Sequence, residues 1–239
     1  MYCIHLGEIP DQSVSENVIV VGNKPRAIKA MEMLTDCKVL SEERGAYLVS
    51  GYYHNKLVSI CCVGMGGPSM AIMTEELISL GTKRIIRVGS CGVFKKENKP
   101  GDIFIATGAV RHDGTSSKYL PLEFPAIPDL ELTNKLIQVS REMNVTVHAG
   151  LGSCNDIYYK FMRTTAEQEM RALKERVNVL FGEMENATLF TVGMVHQIKT
   201  ASMVISDSTV ETKKDKNGIS DFEKSEITAL KIALHAICN

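Results

Sequence analysis

Short β-rich runs alternate with helical runs along almost the whole chain, and this alternation constrains the fold more than any other feature. Val18–Gly22 reads as a buried strand, and Ala46–Tyr53 and Lys56–Cys62 read as two strands joined in a hairpin at His54-Asn55. Ser69–Leu80 is predicted as a helix with Pro68 beside its start, where a missing N–H costs nothing. Arg84–Val88, Ile103–Ala109, Val145–Gly152 and Ala201–Ser206 supply further strands. Leu130–Met143 carries apolar residues at 132, 136, 139 and 143 behind Asp129, a good N-cap residue. A helix follows Gly182. A last helix is predicted to open at Ser220-Asp-Phe-Glu223 with a capping box, placing Ile227, Leu230, Leu234 and Ile237 on one face. Apolar strands alternating with helices of this length require helices over both faces of a sheet. The expected fold is α/β: one domain over residues 1–239, with a central mixed, mostly parallel twisted sheet flanked by helices.

Composition removes several function classes. A formal net charge of −1 gives no electrostatic basis for nucleic-acid binding, and no apolar run reaches the length of a membrane span. The opening MYCIHLGEIPDQSVSEN lacks a basic segment followed by an apolar one, so it does not read as a signal peptide. Seven cysteines without C-x-x-C pairs or His–Cys ligand spacing suit reduced thiols, with Cys61 and Cys62 in the core. A cytoplasmic protein is expected.

Ligands of open α/β sheets gather beyond the carboxyl ends of strands. Four such ends carry reactive residue types. In Val20-Val-Gly-Asn-Lys-Pro-Arg26 a strand enters a glycine turn and a helix, which aims backbone N–H groups at an anion, with Arg26 as a bidentate donor. In Ile85-Ile-Arg-Val-Gly-Ser-Cys-Gly92 an arginine interrupts an apolar strand. Arg87 there needs a fixed anionic partner, either a structural carboxylate or a bound anion beside Gly89-Ser90. Glu183-Met-Glu185 places two carboxylates before an apolar helix, as helix-dipole partners or as acceptors for vicinal sugar hydroxyls. Asp207, at the end of Met203-Val-Ile-Ser-Asp207, is either a cap or a general acid. Met65-Gly-Gly-Pro-Ser69 permits close approach of a ligand but lacks the lysine of a P-loop.

Taken in order, His5-Leu-Gly, Gly22-x-x-x-Arg26, Arg44, Gly64-Met-Gly-Gly-Pro-Ser69, Arg87-Val-Gly-Ser-Cys-Gly92, Glu183-Met-Glu185 and Ser206-Asp207 resemble the nucleoside phosphorylases of the uridine phosphorylase and hexameric purine nucleoside phosphorylase type. The resemblance spans nearly the whole chain. It implies a phosphate site of Gly22, Arg26, Arg87 and Ser90, with Arg44 reaching it from a neighbouring subunit. His5 would meet the ribose 5′-hydroxyl across the same interface. Glu183, Met184 and Glu185 would bind ribose, and Tyr158 and Ser206 would lie at the base. It also implies homodimer units assembled as a homohexamer, a trimer of dimers with shared active sites. No cofactor is implied, inorganic phosphate being a co-substrate. No metal is expected, because Gly45 stands where some uridine enzymes hold potassium with a glutamate.

Val110-Arg-His-Asp-Gly-Thr-Ser, Pro121-Leu-Glu-Phe-Pro-Ala-Ile and Glu183-Met-Glu-Asn-Ala-Thr-Leu resemble the uridine enzymes. However, the Gln-x-Arg that reads uracil is replaced by Lys160-Phe-Met-Arg163, and Asp207 matches the general acid of the purine enzymes. The arginine that assists that aspartate falls near Phe222 and is missing. The expectation is therefore phosphorolysis of a purine nucleoside to free base and ribose 1-phosphate, with Asp207 protonating the base. The alternatives are a uridine phosphorylase, a methylthioadenosine-type nucleosidase that uses water, and a non-catalytic nucleoside-binding protein.

Overall fold

In the computed structural model, which describes residues 1–159, 164–208 and 216–239, the alternation becomes one nine-stranded sheet with helices on both faces. A small ribbon of β1 (Tyr2–Cys3) and β2 (Gly7–Glu8) precedes it. The chain continues through β3 (Asn17–Val21), α1 (Lys24–Met31), β4 (Thr35–Ser41), β5 (Tyr47–Tyr53), β6 (Lys56–Cys62) and α2 (Gly67–Ser79). Next come β7 (Arg84–Val93), β8 (Ile103–His112), the single turn α3 (Ser116–Tyr119), α4 (Leu130–Glu142) and β9 (Val147–Asn155). It ends with α5 (Thr165–Arg176), β10 (Phe181–Glu183), α6 (Asn186–His196), β11 (Lys199–Ser208) and α7 (Lys216–Cys238).

Across the sheet the order is β10-β9-β8-β11-β7-β3-β6-β5-β4. The pairs β3–β6, β3–β7, β7–β11, β8–β9 and β9–β10 are parallel, and the β4–β5–β6 edge and β8–β11 are antiparallel, as a mixed, mostly parallel sheet requires. After β3 the chain moves to the β6 side, then returns past β3 to β7. The carboxyl ends of β3 and β7 therefore form a topological switch point, the place where ligands of open α/β sheets bind.

Successive strand residues face opposite sides. Ile19, Val21, Ile86 and Val88 pack with Ala27 and Ala30 of α1, Leu136 of α4 and Ala229–Ile237 of α7. Val18, Val20 and Ile85 pack on the other side with Met70, Met73 and Leu77 of α2 and Leu189 and Phe190 of α6. Both faces being covered explains why these strands read as continuous apolar runs.

The His54-Asn55 hairpin forms with both turn residues at positive φ, 47° and 62°, the backbone of a type I′ turn. Asp129 caps α4 by accepting from the Leu132 N–H at 2.8 Å. The last helix departs from expectation. It begins at Lys216, so Ser220 lies inside it and no orphan N–H remains there for a capping box. Ile227 is exposed, and Glu226 takes the buried position beside it. A capping box does form between Thr164 and Glu167 at the start of α5, a helix that the apolar pattern did not mark.

Candidate active site

The switch point is built from the ends of two strands of unequal length. β3 stops at Val21, opposite Val88, while β7 runs on to Val93. Gly22 turns the chain off the sheet close to Gly64, whose carbonyl would lie 3.5 Å from any Cβ at position 22. Asn23 then caps α1 by accepting from the Arg26 N–H at 2.9 Å, which fixes Arg26 in the first helical turn. The Arg26 guanidinium is buried. Its Nε donates to Glu226 Oε1 at 2.6 Å and its Nη1 to the Val88 carbonyl at 3.2 Å, and the Phe222 ring lies 5.9 Å away. Lys29 donates to the other Glu226 oxygen at 2.5 Å.

Arg87 lies on the opposite face of the same strand and is equally buried. Its Nη2 donates to Glu185 Oε2, and its Nη1 donates to Asn186 Oδ1 at 3.2 Å and lies 3.4 Å from Glu183 Oε2. The carboxylate partner admitted by the sequence is thus what Arg87 has. Gly89 follows on the same face, and a Cβ there would overlap the guanidinium, so the glycine makes room for the arginine. Burial opposes the charge on Arg87, but Glu185 and Glu183 outweigh it and raise its pKa. The Val88 carbonyl accepts from Arg26 and the Arg87 guanidinium lies over Gly89, so the two guanidinium groups touch consecutive residues of β7.

Glu183 Oε2 accepts the N–H groups of Glu185 and Asn186, both at 2.8 Å, and so closes the start of α6. Its Oε1 is buried without a partner among the described residues. Burial pushes this carboxyl up to about 7, against the pull of Arg87. Glu185 Oε1 accepts from the Gly66 N–H at 2.7 Å. Glu185 therefore ties Arg87 to the Gly64–Ser69 loop, in which Gly64 and Gly66 take positive φ of 79° and 86°. A Cβ on Gly67 would lie 2.8 Å from the hydroxyls of Thr115 and Thr188. Asp113 accepts from the Ser116 N–H and hydroxyl at 2.7 Å and from the Thr188 hydroxyl at 3.0 Å. The 110–116 motif is thus a buttress behind the loop.

Ser206 and Asp207 close the other side. β11 bulges between Ser206 and Ser208, and Asp207 is the extra, half-buried residue. It is close enough for its charge to raise the pKa of the buried Cys91 thiol, behind burial itself. The Gly101 turn holds this strand end: Gly101 N–H donates to the Ser206 carbonyl at 2.8 Å, and Ser206 N–H to the Asp102 carbonyl at 2.9 Å. Ser90, half-buried in β7, pairs with Ile205 beside it. Met184 is also half-buried.

Three expected site residues are not gathered here. Tyr158 is 69% exposed and packs edge-to-face on Tyr159 at 5.0 Å. Lys160–Arg163 lies outside the described residues. His5 is pinned to Glu76 of α2 through its N–H at 2.9 Å and its Nδ1 at 2.8 Å, and Arg44 is exposed at φ 49°. A Cβ on Gly7 would lie 3.2 Å from the Glu43 side chain, so the segment after His5 runs beside the segment before Arg44. Among the described arginines of the chain, Arg26 and Arg87 alone approach the switch point, and Arg44 is expected there only from a neighbouring subunit. Sequence reasoning also missed Asn186, Glu226, Lys29 and Glu76. A charged residue on the apolar face of the last helix was the available signal for Glu226.

Residues 17–238 match the model of the phosphorylase superfamily. A uridine phosphorylase of Treponema pallidum is 31% identical, with 98% of this chain and 92% of that protein covered. A guanosine phosphorylase of Halorubrum lacusprofundi is 27% identical, with 96% and 95% covered. The crystal structure of a uridine phosphorylase from Vibrio fischeri superposes with a TM-score of 0.92 at 27% identity, covering 99% of this chain and 97% of that one.

Proposed function

The chain belongs to the phosphorylase superfamily and is a nucleoside phosphorylase, and from that premise we propose that its nucleoside is uridine, cleaved to uracil and ribose 1-phosphate. The observation that carries the site assignment is the buried link from Gly66 through Glu185 to Arg87, which couples a sugar-binding carboxylate to an anion-binding cation. Phosphate binds at the switch point against Arg26, Arg87 and Ser90. Glu185 accepts from the ribose 2′- and 3′-hydroxyls and Met184 floors the sugar. Positive charge develops at C1′ as the glycosidic bond breaks, and the phosphate anion beneath stabilises it before forming the new bond. Arg44 and His5 complete the site from a second copy, as the resemblance to nucleoside phosphorylases implies; Arg44 is exposed in this chain.

Uridine is favoured by the relatives' names and by the likeness of segments 110–116 and 121–127 to uridine enzymes. The purine preference expected from Asp207 becomes the second reading. It is favoured by one observation, the bulge that presents this carboxylate at the strand end beside β7. Initial rates with uridine, guanosine, inosine and adenosine at saturating phosphate test the choice. The proposal expects uridine to have the highest kcat/KM; a purine nucleoside in first place would replace it with the second reading.

A further inference from the structure

Glu226 is a carboxylate on the buried face of α7, between Phe222 and Ala229. A lone charge there would be costly. It is answered by two cations of α1: Arg26 Nε on Oε1 at 2.6 Å and Lys29 Nζ on Oε2 at 2.5 Å. Burial opposes ionisation, but the bonds from Lys29 and Arg26 outweigh it and hold the Glu226 carboxyl below the usual range. Two cations against one carboxylate leave the trio with a net charge of +1.

The geometry around Arg26 is specific. A guanidinium carries five N–H donors. Glu226 takes the single Nε–H, the Val88 carbonyl takes one N–H of Nη1, and Phe222, one turn before Glu226 on α7, lies against the group. Among the described residues, both N–H groups of Nη2 and one of Nη1 are left without an acceptor. A carboxylate competing with phosphate would be expected to grip two nitrogens at once. Glu226 instead holds one nitrogen and shares its charge with Lys29.

We propose that Glu226, backed by Lys29 and Phe222, is a positioning residue for phosphate: α7 fixes the Arg26 guanidinium in advance and leaves its Nη2 end for the anion. The inference rests on the nucleoside phosphorylase reading with Arg26 as a phosphate ligand. Its advantage is entropic, since the rotamers of a long side chain are lost on folding and not on binding. Lys29 restores the positive charge that Glu226 would otherwise cancel.

The test uses the full chain and its Glu226→Gln, Glu226→Leu and Lys29→Met variants. Phosphate is varied at saturating nucleoside, nucleoside at saturating phosphate, and thermal unfolding is followed alongside. Glu226→Gln keeps an oxygen for Arg26 Nε and should raise the phosphate KM about 5- to 10-fold, and Glu226→Leu about 30-fold or more. Lys29→Met, at a side chain 32% exposed, should raise it several-fold without endangering the fold. The nucleoside KM should stay within about twofold in all three. If Glu226→Leu does not fold, the other two decide. A phosphate KM that is unchanged or lowered in both Glu226→Gln and Lys29→Met, or one that rises only in step with the nucleoside KM, overturns the inference while leaving the phosphorylase reading intact. A wild-type enzyme at full rate without phosphate overturns both.

Discussion

The proposed sugar–phosphate end of the site and the proposed base end are built in opposite ways. Around Arg87, polar groups from several elements are bound to one another: Glu183 at the end of β10, Glu185 just after it, Asn186 on α6 and Gly66 before α2. At the base end, Tyr158 stands exposed and Asp207 occupies a bulge at a strand terminus. The first arrangement permits little change, because replacing one member leaves another buried and unpaired. The second can vary at small cost. On the proposed reading, ribosyl chemistry sits in the over-determined part, and base choice in the part that tolerates substitution.

The largest effect should come from breaking the first region. Arg87→Ala removes the cation between two buried carboxylates, which should destabilise the fold by about 3–5 kcal/mol. Loss of its contact with phosphate should lower kcat/KM by at least about 10³-fold. Urea unfolding and phosphorolysis assays measure the two losses. A variant of native stability and near-native activity would remove Arg87 from the centre of the site.

A smaller effect is electrostatic. Glu183 is raised to about 7 by burial, so between its ordinary value of 4.5 and about 7 the folded chain holds a proton that the unfolded chain has lost. Its contribution to stability is therefore fully present below about 4.5 and is lost as pH rises through about 7. Glu183→Gln should flatten that part of the stability–pH curve, read as urea midpoints from pH 4.5 to 8. Parallel curves for the two proteins would show that Glu183 is ionised throughout.

Why the sequence reveals one region better than the other follows from the same contrast. Arg87 in an apolar strand, the Glu183/Glu185 pair and the glycine turn at 22 are local anomalies, and a local anomaly can be read without a structure. His54-Asn55 and Asp129 worked for the same reason, since turn and cap chemistry is decided within a few residues. Glu226 was hidden because its partners Arg26 and Lys29 lie 200 and 197 residues away in the chain. Ser220 misled because a cap has meaning only where the helix begins, and α7 begins earlier. The approach of the Gly7 and Glu43 segments to each other depends on packing alone.

The Gly101 turn bridges the Ser206 strand end and α7. Gly101 has φ 92°, and a Cβ would lie 3.1 Å from the Asp221 backbone. Gly101→Ala should cost about 1–2 kcal/mol in stability. Thermal unfolding measures it, and an unchanged midpoint would show that the turn yields freely. The smallest effect should be at the base end. Asp207→Asn should lower uridine turnover less than about tenfold, whereas general acid loss on a purine nucleoside is worth about 10²–10⁴-fold. A uridine defect of that larger size would place Asp207 in the chemistry of both bases and erase the contrast.

Phosphate is the nucleophile of the proposed reaction, and this can be tested directly. Uridine incubated with the enzyme and inorganic phosphate, followed by phosphorus NMR and uracil absorbance, should yield one ribose 1-phosphate for each uracil released. The same mixture without phosphate should release none. Uracil and free ribose appearing at an equal rate in phosphate-free buffer would mean that water attacks C1′, and the arginines at the switch point would have no anion to serve.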